Sequence, residues 1–179
     1  MTILPNIITS FRIFGGISLI FVEPLTLAFF IIYTLSGISD ALDGWLARRF
    51  NVVTALGTVL DSIADIIFYS VMLFRIAPLL IERLPNRIWI AVAAVLLVRI
   101  ASYTLAAVKY HRFASLHTYL NKLTGVTMFT VPYFIKLPIG NAVCVIVCSI
   151  AAVAALEELL IHVKSKQYDE NAKSILKIA

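Results

Sequence analysis

The sequence predicts an all-α protein, an integral membrane bundle of six transmembrane helices. Three observations carry that expectation. Of 179 residues, 61% are hydrophobic and 14% charged, with a mean hydropathy of +0.96; a soluble domain carries about 25% charged residues. The apolar residues gather in six stretches, each near the ~20 residues a helix needs to cross the hydrocarbon. The breaks between them are short and hold Pro or charge: Glu23-Pro24, 49–53, 81–84, 111–115 and Lys136-Leu137. Breaks this short make successive helices antiparallel neighbours.

The first helix is expected over residues 6–22, opened by Pro5 and stopped at Glu23-Pro24. Met1-Thr2-Ile3-Leu4 has no basic run of the signal-peptide type, so this first stretch is expected to stay as a helix. The second helix is expected over 25–49 and the third over 54–80. The fourth starts at Pro85 and reaches Tyr110, the fifth covers 116–135, and the sixth covers 138–163. Residues 1–163 then form one domain, and 164–179 a polar tail with room for a short surface helix. Cys144 and Cys148 sit four apart on one apolar helix, too far apart for easy pairing, and read as packing residues.

The net charge is +5, and the basic residues lie mostly at segment ends. Arg48, Arg49, Lys109, Arg112, Lys164, Lys166, Lys173 and Lys177 fall on one side, against Arg83, Arg87 and Lys136 on the other. The richer side is the cytosolic one, which places both termini and the 49–53 connection in the cytosol of a multi-pass cell-membrane protein. The lipid bilayer is thus the first partner. Basic and aromatic residues do not interleave, which argues against nucleic acid.

Four carboxylates interrupt this apolar pattern: Asp40, Asp43, Asp61 and Asp65. Ionised groups near membrane depth are expensive and ask for a function. Asp40 and Asp43 are three apart, and Asp61 and Asp65 four apart, so each pair projects from one helical face. Two adjacent helices would aim all four at one point. The mutual repulsion calls for cations, and oxygen-only donors suit one or two Mg2+ or Mn2+ ions. Gly44, Ala47 and Gly57 leave notches beside the acids, where a ligand or backbone can come close. Two rival roles for the acids account for less of the pattern. An ion-pair cage with Arg48 and Arg49 leaves four acids against two arginines. A cation transporter accounts for the acids but not for the small residues and Arg48 at these spacings.

The run from Asp40 to Asp65 resembles the signature of the CDP-alcohol phosphotransferase family, D-x2-D-G-x2-A-R-x8-G-x3-D-x3-D. Asp40, Asp43, Gly44, Ala47, Arg48, Gly57, Asp61 and Asp65 match every fixed position. The family transfers a phosphate-linked alcohol from a CDP-alcohol to a hydroxyl and releases CMP. The resemblance implies metal ligation by Asp40, Asp43, Asp61 and Asp65, with two ions, and makes Asp65 the general base. It implies CDP contacts from Gly44, Ala47, Arg48, Thr54 and Gly57. The opening Pro5-Asn6-Ile7-Ile8-Thr9 is similar to a second, shorter family run that also borders the nucleotide. Homodimers are common in the family, although no seam for one stands out in this sequence.

Six helices in 179 residues look most like family members that use CDP-diacylglycerol in phospholipid synthesis. Arg99, Lys109, Arg112 and Lys122 form a basic set on the fourth and fifth helices, suited to a phosphate-bearing acceptor. Glycerol 3-phosphate, as in phosphatidylglycerol phosphate synthase-like members, is the leading acceptor, with inositol phosphate or serine as alternatives. Arg12 or Lys122 is expected to pair with Glu157 or Glu158. Arg99, with no acid nearby in sequence, is expected to meet an anionic ligand group.

Overall fold

Backbone groups in hydrocarbon must find partners within their own segment, which long apolar stretches do as helices. The computed structural model describes the backbone of residues 3–49, 55–111, 116, 118–165, 168 and 172–175, and their side chains except those of 3–7, 41, 43–48, 55–59, 61 and 62. Among the described residues six helices run in order: α1 (Ile3–Ser18), α2 (Leu27–Arg49), α3 (Ala55–Arg83), α4 (Asn86–Tyr110), α5 (Tyr119–Phe134) and α6 (Gly140–Lys164). Among the described residues, three stretches are long and apolar enough to cross a membrane: Ile63–Arg83 within α3, then α4 and α6. Leu27–Asp40 of α2 is a shorter apolar stretch. α1 and α5 have 16 residues each, about 24 Å of helix, below the ~30 Å hydrocarbon core. Six helices stand as expected, and three of them meet the length and hydropathy of a span by themselves.

The chain forms two compact units, Met1–Glu82 and Arg83–Ala179. In the first, α1 ends at Ser18, short of residue 22. The amides of Ile20 and Phe21 turn back to the carbonyls of Ile17 and Ser18, at 3.0 and 3.1 Å, tightening the chain out of α-helix. Leu25 lies in the left-handed region at φ 60°, which reverses the path. Thr26 then caps α2: its hydroxyl accepts from the Phe29 amide at 3.3 Å and donates to the Glu23 carbonyl at 2.8 Å. Arg75 of α3 donates to the Val22 carbonyl at 2.7 Å and ties the turn down. Pro5 falls in the first turn of α1, where no intrahelical amide bond is lost.

Gly15 and Gly16 let α1 approach both neighbours. A Cβ on Gly15 would lie 2.5 Å from the Ser36 hydroxyl of α2, and one on Gly16 3.3 Å from the Phe68 Cα of α3. The contact is sealed by stacked rings, Tyr33 on Phe68 at 5.4 Å and Phe29 on Tyr33 at 5.9 Å. Leu19, Phe29, Tyr33, Ala64, Phe68 and Ile76 are buried.

In the second unit α6 is the centre, with α4 and α5 packed against it. Thr118 caps α5 by accepting from the Asn121 amide at 3.1 Å. Gly140 opens α6 against the end of α5, where a Cβ would meet the Phe134 carbonyl oxygen at 2.7 Å. The orphan carbonyls at the end of α6 are taken by α4. Lys109 Nζ donates to His162 at 2.7 Å and Val163 at 3.1 Å, and the Tyr110 hydroxyl to Ser165 at 2.9 Å. Described residues of the tail are tied down as well. Ala172 is buried with Leu116 and Ile161; Ser174 and the Ile175 amide donate to Glu157 Oε1 at 2.9 and 3.2 Å; and the Tyr119 amide donates to the Lys173 carbonyl at 3.0 Å.

Large apolar side chains remain exposed on both units, among them Phe14, Phe21, Phe74, Ile90, Leu97 and Val126. Water would penalise such surfaces; a bilayer matches them.

Glycine position separates packing from propensity. Gly16→Leu is expected to destabilise by about 1–3 kcal/mol, because backbone of α3 stands in its way. Gly125→Ala, with nothing within 4 Å of its added carbon, is expected to be neutral or to stabilise by up to about 1 kcal/mol. Thermal unfolding in detergent micelles checks both.

Candidate active site

α1, α2 and α3 share a charged junction. Arg12, from α1, is fully buried, and its guanidinium pairs with Asp40 of α2 and with Asp65 of α3, the latter at 3.2 Å. The two carboxylates are 43% and 38% exposed, so the arginine forms a floor and the acids open outward from it. Local sequence dictates this placement. Gly16 admits the backbone of Phe68, three residues beyond Asp65, and Gly15 admits Ser36, one turn before Asp40. The Ser39 hydroxyl is turned back to the Ser36 carbonyl at 2.7 Å, away from competition for the acids.

Two of the four signature acids are thus brought together around one cation. Asp43 and Asp61 lie on the same two helices, three residues after Asp40 and four before Asp65, and their side chains fall outside the described residues. The same holds for Gly44, Ala47, Arg48, Gly57, Pro5, Asn6 and Ile7, while Thr54 and Arg112 lie wholly outside them. Of the N-terminal run, Ile8 is half-buried and Thr9 buried, one helical turn before Arg12.

Arg12 corrects an expectation. Its partners are Asp40 and Asp65, not Glu157 or Glu158. A signal for this exists in the residues: Asn6, Thr9 and Arg12 recur at three-residue intervals, close to one face. The Gly15-Gly16 pair, which sets the helix spacing, is a second signal, since small residues inside an apolar helix mark close contacts.

Arg99 too has a protein partner. Its guanidinium meets the fully buried Glu158 at 3.3 Å, Asn121 Oδ1 at 3.1 Å and the Tyr103 hydroxyl at 3.3 Å. Glu158 Oε1 accepts from the Leu116 amide at 2.9 Å, and Oε2 from Asn121 at 3.1 Å. A buried carboxylate needs such compensation, and Glu158 supplies the anion expected from a ligand. Arg99 keeps 21% of its side chain exposed. Lys122 is exposed, and Lys109 is engaged by the α6 carbonyls.

As to a metal, the described residues hold no group of three or more metal-ligating side chains. The donors that do converge, Asp40 and Asp65, are hard oxygens already gathered around a cation, which fits Mg2+ or Mn2+ chemistry. Among the described side chains two carboxylates, Asp40 and Asp65, share the one Arg12 guanidinium.

A helical membrane protein with carboxylates from two helices meeting over an arginine is the class that fold and site define. Residues 2–163 match the family model for CDP-alcohol phosphatidyltransferase. The chain belongs to that family, a group of phospholipid-synthesising membrane transferases. It is similar to CDP-diacylglycerol–inositol 3-phosphatidyltransferase 1 of Arabidopsis thaliana, 51% identical over 37 residues, covering 21% of this chain and 16% of that one. It is also similar to CDP-diacylglycerol–glycerol-3-phosphate 3-phosphatidyltransferase of Haemophilus influenzae, 32% identical over 68 residues, 38% of this chain and 34% of that one. A third relative is cardiolipin synthase (CMP-forming) of Streptomyces coelicolor, 54% identical over 35 residues, 20% and 16% of the two chains. The matches span about a third or less of the length of these curated relatives. No solved structure matches the chain significantly.

Removing the floor of the junction exposes its role. Arg12→Ala is expected to lower stability, by less than the about 3–5 kcal/mol of a fully buried pair, because both acids are partly open. Asp40→Asn in the same chain should return part of the loss. A double-mutant cycle on thermal unfolding measures the coupling, and simple additivity would refute it.

Proposed function

We propose that this chain transfers the phosphatidyl group of CDP-diacylglycerol to a hydroxyl of a small polar acceptor, glycerol 3-phosphate, and releases CMP. The observation that carries this reading is the convergence of Asp40 and Asp65 on Arg12, inside a run that matches the family signature at every fixed position. The acceptor oxygen attacks the phosphorus that bears the diacylglycerol, the phosphoanhydride bond to CMP breaks, and the hydroxyl proton passes to Asp65. Arg12 holds Asp65 by an ion pair, so the base is fixed in place before substrate arrives. Arg48, on the following turns of α2, donates to the nucleotide phosphates, beside the notches of Gly44, Ala47 and Gly57, with Thr54 and residues 5–9 bordering the nucleotide.

Asp40, Asp43, Asp61 and Asp65 are the residues that would hold Mg2+ or Mn2+, two ions as the family signature implies. Bound there, the metal would neutralise charge on the diphosphate oxygens as the bond breaks. The lipid tails of the donor stay in the bilayer, and the site opens to the cytosol, the side to which the Lys and Arg bias assigns both termini. Arg99, Lys122 and Arg112 are the acceptor's basic set, with Lys109 already engaged at the α6 carbonyls; Arg99 is braced by Glu158 and Asn121 and keeps part of its side chain exposed for a phosphate. The Haemophilus relative's name supports glycerol 3-phosphate. The Arabidopsis relative's name makes inositol or its phosphate the second acceptor to test.

Purified protein given CDP-diacylglycerol and a panel of glycerol 3-phosphate, inositol phosphate, inositol and serine should form one phospholipid, identified by mass, together with CMP. Ion flux without CMP release would overturn the reading. Asp65→Asn should abolish turnover, by about 100-fold or more, while CDP-lipid binding persists. EDTA should stop the wild type, and added Mg2+ or Mn2+ restore it. Arg99→Ala should raise the KM for acceptor more than that for donor; the opposite split would assign Arg99 elsewhere.

A further inference from the structure

α4 and α6 run in the same direction, since Lys109 near the end of α4 reaches carbonyls at the end of α6. Toward their beginnings the two helices flank a half-open groove of about 470 Å³, within the about 300–1,000 Å³ of ligand sites. Ala91 and Val98 line it from α4, and Cys148, Ala152 and Leu156 from α6. The small side chains make the hollow. Its polar end is marked by Arg87, exposed in the first turn of α4.

The dimensions suit one kind of occupant. From Arg87 to Val98 the wall rises eleven residues, about 16 Å of helix. That is close to half of the ~30 Å hydrocarbon core, the depth of a single leaflet. Arg87 thus stands at the depth of a headgroup phosphate when an acyl chain fills the groove below it. Arg83, the last residue of α3 and four before Arg87 in sequence, is bonded to the Lys136 carbonyl at 3.3 Å.

We propose that the α4–α6 groove is a binding site for an anionic phospholipid, one acyl chain lying between the helices and the headgroup phosphate held by Arg87. In a bilayer, an acyl chain gains little transfer energy by leaving other lipid. Selectivity therefore comes from the guanidinium–phosphate contact and from fit to the hollow. Arg87 and the groove walls share no residue with the junction of Arg12, Asp40 and Asp65, so the site stands whatever acceptor the enzyme uses.

The probe is phosphatidylglycerol with a diazirine in its acyl chain, added to phosphatidylcholine vesicles that hold the full chain. After photolysis, label should map to residues 91–98 and 148–156, and excess unlabelled phosphatidylglycerol should remove it. Arg87→Ala should cut labelling several-fold, Arg87→Lys should keep most of it, and Ala94→Phe should block it by filling the hollow. Equal labelling by the matching phosphatidylcholine probe would overturn the proposal, as would labelling unchanged in Arg87→Ala. Crosslinking of Cys148 between two copies, with no lipid label, would assign the groove to a second copy of the chain and overturn it equally.

Discussion

A guanidinium buried among three helices, with a carboxylate on two of them, is the constraint on which the first unit depends. Arg12 is fully buried, and taking a charge out of water costs several kcal/mol unless it is paired. Its position therefore requires that Asp40 and Asp65 come to it, and with them the helices that carry them. The reverse also holds. Acids on neighbouring helices repel, and without an internal cation α2 and α3 would be pushed apart where the chemistry needs them close. Packing and charge act together, because the glycine pair that lets the backbones meet lies one turn beyond Arg12 on the same helix.

The second unit solves a similar problem with different parts. Glu158 is fully buried on α6 and is satisfied by Arg99 from α4, by Asn121 from α5, and by the amide of Leu116. One carboxylate thus ties three helices through hydrogen bonds that lipid cannot compete for. Such networks are strong when complete, and they locate Arg99 with little freedom. Lys109 serves the same end by closing the carbonyls of α6, a task that any cation near a helix C-terminus can take.

Much of this is legible in the residues. Hydropathy and the placement of Pro and charge locate all six helices, with ends off by a few residues where local bonding decides. Residue 25 is an example, since its left-handed backbone has no side-chain signal. The acids of the candidate site are legible because their spacing is rigid within a helix. Partners across helices are not. Arg12 and Asp40 are 28 residues apart and Arg99 and Glu158 59 apart. Charge alone allows several pairings among such groups, and only the packing of Gly15, Gly16 and the α6 surface selects among them. The tail is polar by composition, yet Ala172 packs on Leu116 and Ile161, and Ser174 and the amide of Ile175 bond to Glu157, which is buried on α6 and needs donors.

That last contact bears on how the molecule is made. Glu157 Oε1 takes its two hydrogen bonds from residues 174 and 175, and the first amide of α5 is closed by the carbonyl of residue 173. These donors and acceptors follow α6 in the chain, after every helix they serve. The second unit can insert helix by helix during translation, but its polar interior is completed only after α4, α5 and α6 have all been made and residues 173–175 have followed them. A nascent chain halted between α6 and residue 173 would hold a buried acid still waiting for its clasp, at the cost of an unsatisfied carboxylate.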